Sequence, residues 1–291
     1  MNLKLGIKKI MKKKEKIRKF SLKFWLIIFA VLFVLATVYV IEEIPNPTKL
    51  SKGEYPQSSQ ILDRKGNLLF EIYSDKRRTP VELKDVSDNL KKATLAIEDV
   101  NFYKHNGFDF KGILRGLYRT LFKKRLQGGS TLTQQLVKNA LLTQERTISR
   151  KIKEAILTVA TEILYSKDKI LEMYFNQTPY GGTIWGAQSA ARGFFNKDVK
   201  DLDLAEAALI AGLPGSPTKY NPFSHPEAAK NRQELVLTRM NEVGFISKEE
   251  MEKAKAEKLN YYLDKKGILA PHFVFYVKEQ LTEKYGIKKL T

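Results

Sequence analysis

Phe24 to Ile41 is a run of eighteen residues without a charged side chain, and Thr37 is its only clearly polar member. No other stretch restricts the chain so tightly. At helical rise it reaches about 27 Å, near the lower limit for crossing a bilayer as one helix. Between Lys4 and Lys23 stand ten Lys and Arg residues opposed only by Glu15, a local excess of nine positive charges. Such an excess holds its flank in the cytoplasm. The N-terminus is therefore expected inside and everything after Ile41 outside. A cleaved signal peptide has a shorter apolar region, about 7–15 residues, and a small-x-small site after it. Here Glu42-Glu43-Ile44-Pro45 follows, so the run is expected to stay as a single-pass anchor in the cell membrane.

The formal net charge over all 291 residues is +19. Nine of those charges belong to the tail, which leaves ten for the outer part, a balance that suits an anionic membrane surface. A folded part outside the cell excludes nucleic acid as a partner. With no cysteine, a disulfide framework and a thiol nucleophile are both excluded.

The remaining pattern divides into a cytoplasmic tail over 1–23, the membrane helix over 24–41, a linker with a hairpin over 42–85, a domain over 86–285 and a stub over 286–291. Pro45 to Pro56 is polar, with three prolines. Ile61-Leu62 and Leu68 to Tyr73 flank the turn cluster Asp63-Arg64-Lys65-Gly66-Asn67, which predicts a β-hairpin over Ser59 to Ser74. Thr79 to Leu83 is a third extended piece that could join it. From Leu90 the spacing is helical, and Leu90, Ala93, Thr94, Ala96 and Ile97 lead straight into Glu98. That acid is expected at a helix end, projecting into a cleft.

Phe108 to Gln127 interleaves aromatic and aliphatic residues at helical spacing with six cations, as a helix at a membrane interface does. Thr143 to Tyr165 reads as one long helix. Its stripe of Ile148, Ile152, Ile156, Val159 and Ile163 is expected to face the core, which puts Arg150 and Glu154 on the opposite face, toward solvent or a cleft. Ser166 is expected to cap the next helix. Asp203 with Glu206 and Ser247 with Glu250 are capping-box starts, and Pro226 opens a helix that Gly244 ends. A last helix runs from about Pro271 to Tyr285.

The chemistry lies between residues 98 and 154. Glu98-Asp99-Val100-Asn101-Phe102-Tyr103-Lys104-His105-Asn106-Gly107 opens the stretch, Gly128-Gly129-Ser130-Thr131-Leu132-Thr133-Gln134-Gln135 follows, and Arg150-Lys151-Ile152-Lys153-Glu154 closes it. Two acids bracket a Gly/Ser/Thr/Gln turn and a set of cations. That combination can activate a hydroxyl and hold an anionic leaving group.

These blocks resemble the glycosyltransferase domain of class A penicillin-binding proteins. The family patterns Glu-Asp-x-x-Phe-x-x-His-x-Gly, Gly-x-Ser-Thr-x-Thr-Gln-Gln and Arg-Lys-x-x-Glu are matched at every fixed position. Lys169-Ile170-Leu171, Tyr174 and Asn176 resemble the fourth block, and Arg232, Val236, Leu237 and Met240 the fifth. The likeness covers roughly residues 55–285. It implies a mainly α, lysozyme-like domain of two lobes. The larger carries Glu98, and the smaller, with Phe108 to Gln127 in it or at its rim, sits against the bilayer.

The resemblance implies a peptidoglycan glycosyltransferase that polymerises lipid II into β-1,4-linked strands with inversion. Its partners would be lipid II, the growing glycan strand, the membrane and other cell-wall synthesis proteins. Glu98 is expected to be the general base that deprotonates the acceptor 4-hydroxyl. Lys138, Arg150 and Lys151 are expected near the departing polyprenyl diphosphate. Glu154, the second catalytic acid, would orient Arg150 or hold a divalent cation, Mg2+ or Mn2+, against the diphosphate. Its bland alternative is an i,i+4 ion pair worth a few tenths of a kcal/mol.

Asp99, His105, Ser130, Thr131, Gln134, Gln135 and Asn176 are expected to line the substrate site. For His105 the alternative is a hydrogen-bonded structural role, and for Ser130 it is helix capping. Ser130 has no base partner in the sequence and is not a nucleophile. Lys-Thr-Gly, which marks the second, transpeptidase domain of such proteins, is absent, so no penicillin-reactive serine is expected here. The chain is expected to be the N-terminal part of a bifunctional protein. A lysozyme-like or lytic glycan-cleaving enzyme and a non-enzymatic membrane scaffold are the rival readings.

Overall fold

The structure is a computed structural model that describes residues 44–51, 58–66, 68–72, 76–109, 112, 129–143, 145, 147–262 and 270–285. The expected tail, membrane helix and terminal stub lie outside the described residues, as does most of Phe108 to Gln127. Among the described residues no helix is long and apolar enough to cross a membrane.

The protein is mainly helical. Helix α1 (Asp88–Glu98) is capped by the Ser87 hydroxyl, which accepts from the Leu90 amide, and it buries Leu90, Ala93, Thr94 and Ala96. Helices α2 (Leu132–Leu141), α3 (Ile148–Leu164) and α4 (Lys167–Gln177) follow, with α2 packed on both α3 and α4. Helix α5 (Ala187–Phe195) leads to α6 (Leu204–Gly212). Ala205, Ala207, Ala208, Leu209, Ile210 and Ala211 are all buried in α6, so this helix, apolar except for Glu206, forms the axis of the core. Helix α7 (Pro226–Glu242) packs on α6, and both pack on α1. Helix α8 (Lys248–Ala256) packs on α7. The boxes at Asp203/Glu206 and Ser247/Glu250 form as the spacing predicts.

The hairpin of β1 (Ser59–Leu62) and β2 (Leu68–Ile72) is antiparallel and pairs Ile61 with Phe70. Thr79 to Leu83 adds no strand to it, and Leu83 opens a 3-10 turn. Instead β3 (Arg77–Arg78) pairs in parallel with β5 (Ile184–Trp185), which in turn pairs with β4 (Pro179–Gly181). The hairpin still reaches β3 through side chains. Buried Glu71 accepts from Gln60 and Thr79 at 3.0 and 2.9 Å and pairs with Arg77. Ile61 and Ile72 also pack against Val274 of α9 (Pro271–Tyr285), making a second small hydrophobic cluster.

One orientation is the reverse of the expectation. The isoleucine stripe of α3 faces outward, with Ile148 83% and Ile163 78% exposed, whereas Glu154, Leu157, Thr158 and Thr161 are buried. The reason is steric. Gly107 has φ of +88°, and a Cβ there would come within 2.7 Å of Thr158 Cγ2. Only the small-residue face of α3 admits so close an approach of backbone, so that face turns inward.

Candidate active site

Glu98 is the last residue of α1, and at Asp99 the backbone leaves the helix. Packing of α1 on α6 and α7 fixes the direction in which this end points. The Glu98 side chain keeps 12% of its surface exposed. Gln135 Nε2 donates to its Oε2 at 2.7 Å. Gln135 lies on α2 one turn before Lys138, so amide and ammonium share a helix face. Lys138 is half-buried and has no ion-pair partner among the described residues.

Asp99 points the other way and is buried. Its carboxylate accepts from His105 Nε2 at 3.0 Å and from the Leu132 backbone amide at 3.1 Å. It therefore joins the end of α1 to the start of α2, where a carboxylate meets the unpaired amides of a helix N-terminus. His105 adopts the hydrogen-bonded structural role. Thr131, not Ser130, caps α2. Its hydroxyl accepts from the Gln134 amide while Gln134 Oε1 accepts from the Thr131 amide at 3.0 Å. The same hydroxyl donates to the Gly107 carbonyl at 2.7 Å. Thr131 and Gln134 are thus buried in the cap, while Ser130 is exposed.

The third block behaves as a unit. Arg150 Nη1 donates to Glu154 Oε2 at 2.9 Å, and Lys151 pairs with Oε1. Arg150 and Glu154 are 17% and 2% exposed, so this is a largely buried pair rather than the solvated one that spacing allows. The donor set does not fit a divalent cation at Glu154, because both oxygens already face cations. Among the described residues no three Asp, Glu or His side chains are grouped as metal ligands.

Asn176 is held elsewhere. Its Oδ1 accepts from the Val81 amide at 2.9 Å and its Nδ2 donates to the Val81 carbonyl at 2.8 Å, so the side chain acts as a strand edge for that segment.

The sequence assigns no site role to three residues near Glu98. Arg232, from the fifth block, places Nη2 3.7 Å from Glu98 Oε1. Tyr174 of α4 and Tyr180 of β4 are buried, and both phenols are held well above the ordinary range, first by burial and then by the negative charge of Glu98. They are neutral walls of the site. Their places in the fourth block and the turn after it were the available signals, but nothing local links them to Glu98.

Comparison with known proteins gives the family of the chain. The transglycosylase family model matches residues 65–241, which include Glu98, Gln135, Glu154 and Arg232. Penicillin-binding protein 1A of Aquifex aeolicus is 42% identical over 88% of this chain and 36% of its own length. Penicillin-binding protein 1F of Bacillus subtilis is 39% identical over 79% of this chain and 32% of its own length. The chain thus spans about a third of the relatives it matches. The solved penicillin-binding protein 1A of Haemophilus influenzae aligns at a TM-score of 0.43 and 24% identity, over 81% of this chain and 25% of that one. That score is too low to bear on the fold.

Proposed function

The chain belongs to the transglycosylase family, and from that we propose that it is a peptidoglycan glycosyltransferase that polymerises lipid II. The observation that carries the reading is the contact of Glu98 with Gln135, because it ties a partly exposed carboxylate to the helix that carries the cation Lys138.

In this reading Glu98 takes the proton of the acceptor sugar's 4-hydroxyl. The freed oxygen pair attacks C1 of the donor sugar from the face opposite its α-linked polyprenyl diphosphate. The C1–O bond breaks, its electron pair leaves with the diphosphate, and the new link is β-1,4. Lys138 meets the diphosphate as a point charge, and Arg150 and Lys151, held in place by Glu154, complete the cationic side. Proton removal by a placed base accounts for about 10²–10⁴ in rate.

The cations Lys138, Arg150 and Lys151 favour this chemistry over glycan cleavage, because a departing diphosphate needs them and hydrolysis does not. Supplying lipid II and finished glycan separately tests the choice. Lipid II should be consumed into strands, and shortening of glycan with lipid II untouched would overturn it.

The two-lobed arrangement, the extracytoplasmic location behind a helix at 24–41 and contact with the bilayer belong to the same proposal. The exposed isoleucine stripe on α3 supports the last of these, because a soluble surface rarely shows so continuous an apolar strip. The partners are then lipid II, the growing strand and the membrane, with other cell-wall synthesis proteins beside them.

A further inference from the structure

The two oxygens of Glu98 are not equivalent. Oε2 is taken by Gln135 at 2.7 Å, while among the described residues Oε1 faces only Arg232 Nη2 at 3.7 Å, too far for a hydrogen bond. Oε1 therefore keeps a lone pair available in a site where its neighbour is anchored. Arg232 itself is clamped from three sides. Its Nε donates to the Gly212 carbonyl at 3.1 Å, in the last turn of α6, where a cation is favoured by the helix dipole. Its guanidinium carbon lies 5.3 Å from the Tyr220 ring centre. Its stem and head fill spaces that only glycines leave, since a Cβ on Gly212 or on Gly215 would come within 2.8 Å of it.

A side chain held this firmly, yet stopped short of a hydrogen bond to the carboxylate it faces, is placed for its field. We infer that Arg232 is the positioning residue of this site, aligning Glu98 so that Oε1 receives the acceptor proton. The inference rests on the glycosyltransferase reading above. The step balances: the sugar O–H hydrogen passes to Oε1, its electron pair forms the new bond to C1, the diphosphate leaves with the old pair, and the proton on Oε1 is released to water.

The other groups around Glu98 do not replace Arg232. Gln135 from α2 is neutral, and Lys138 of the same helix makes no ion pair with Glu98. Tyr174 from α4 and Tyr180 from β4 are buried phenols held in the neutral form. The one titratable residue of α6, Glu206, is paired with Lys197 at 2.7 Å. On α7, Arg239 is paired with Glu242, and Lys230 lies 3.8 Å from Glu234.

The test is kcat and KM for lipid II polymerisation by the full chain and its Arg232→Gln, Arg232→Lys and Glu98→Gln variants. Arg232→Gln should lower kcat by about tenfold or more with KM little changed, because a misaligned base costs rate and not binding. Arg232→Lys, which returns a cation, should recover part of that loss. Either an unchanged kcat or a KM that rises as much as kcat falls in Arg232→Gln overturns the inference, provided that Glu98→Gln is inactive. If Glu98→Gln polymerises normally, the glycosyltransferase reading fails first. Should circular dichroism show Arg232→Gln unfolded, Gly215→Ala, which displaces the guanidinium and keeps its charge, is read by the same criterion.

Discussion

Arg150 and Glu154 stand one turn apart on α3, and the 2.9 Å pair they form has its carboxylate almost sealed from solvent. Residue spacing alone would assign such a pair a few tenths of a kcal/mol. Burial changes its weight, because removing the acid leaves Arg150 poorly solvated and uncompensated. Glu154→Ala is therefore expected to destabilise the fold by about 2–3 kcal/mol, below the full buried-pair value because Lys151 reaches water. Chemical denaturation measures this, and a loss under about 0.5 kcal/mol would show that the pair behaves as a surface one.

Glu98→Gln should separate chemistry from folding. The Gln135 contact can be remade by an amide, so the melting temperature should hold, while polymerisation should fall by about 10²–10⁴. Radiolabelled lipid II assays and thermal scans on one preparation decide it. A large fall in both would mark Glu98 as a structural residue.

Thr131 and Ser130 make a paired comparison. Thr131→Ala removes a capping box and the donor to the Gly107 carbonyl, and should cost about 1–2 kcal/mol. Ser130→Ala, at an exposed neighbour without a cap bond, should stay within about 0.5 kcal/mol. Equal costs would mean that the cap has shifted to Ser130.

Gly107→Ala should be costly twice over, through its positive φ and through collision with the Thr158 methyl. A loss of about 2–3 kcal/mol is expected. Thr158→Ser removes that methyl, so the double variant should recover about 1 kcal/mol in a mutant cycle. Strict additivity would place the strain in the backbone alone.

The outward stripe of α3 can be read directly, because the chain has no cysteine to interfere. Ile152→Cys carrying an environment-sensitive fluorophore should emit as if in hydrocarbon after reconstitution in anionic liposomes, and lipid-borne quenchers should silence it. Quenching by aqueous iodide instead would show that the stripe does not touch the bilayer. Stability should change by less than about 0.5 kcal/mol, since Ile152 is exposed.

Much of this is legible in the sequence. Glu98 at a helix end follows from the Leu90–Ala93–Thr94 spacing, and the capping boxes at Asp203 and Ser247 follow from residue types three apart. What periodicity does not give is which face of an amphipathic helix is covered. The isoleucine stripe reads as core, but Thr158, Thr161 and the close approach of Gly107 decide the packing. The partner of β3 was equally hidden, because a two-residue strand carries no alternation to read. The Arg232–Glu98 contact joins α7 to α1 across the core, and no local signal reports so distant a pairing.

The hairpin seated on Val274 brings the first strands and the last helix of the described chain into one small apolar joint. None of its members belongs to the large core on which α1 is packed. The joint can therefore loosen while the reacting groups at the end of α1 keep their spacing.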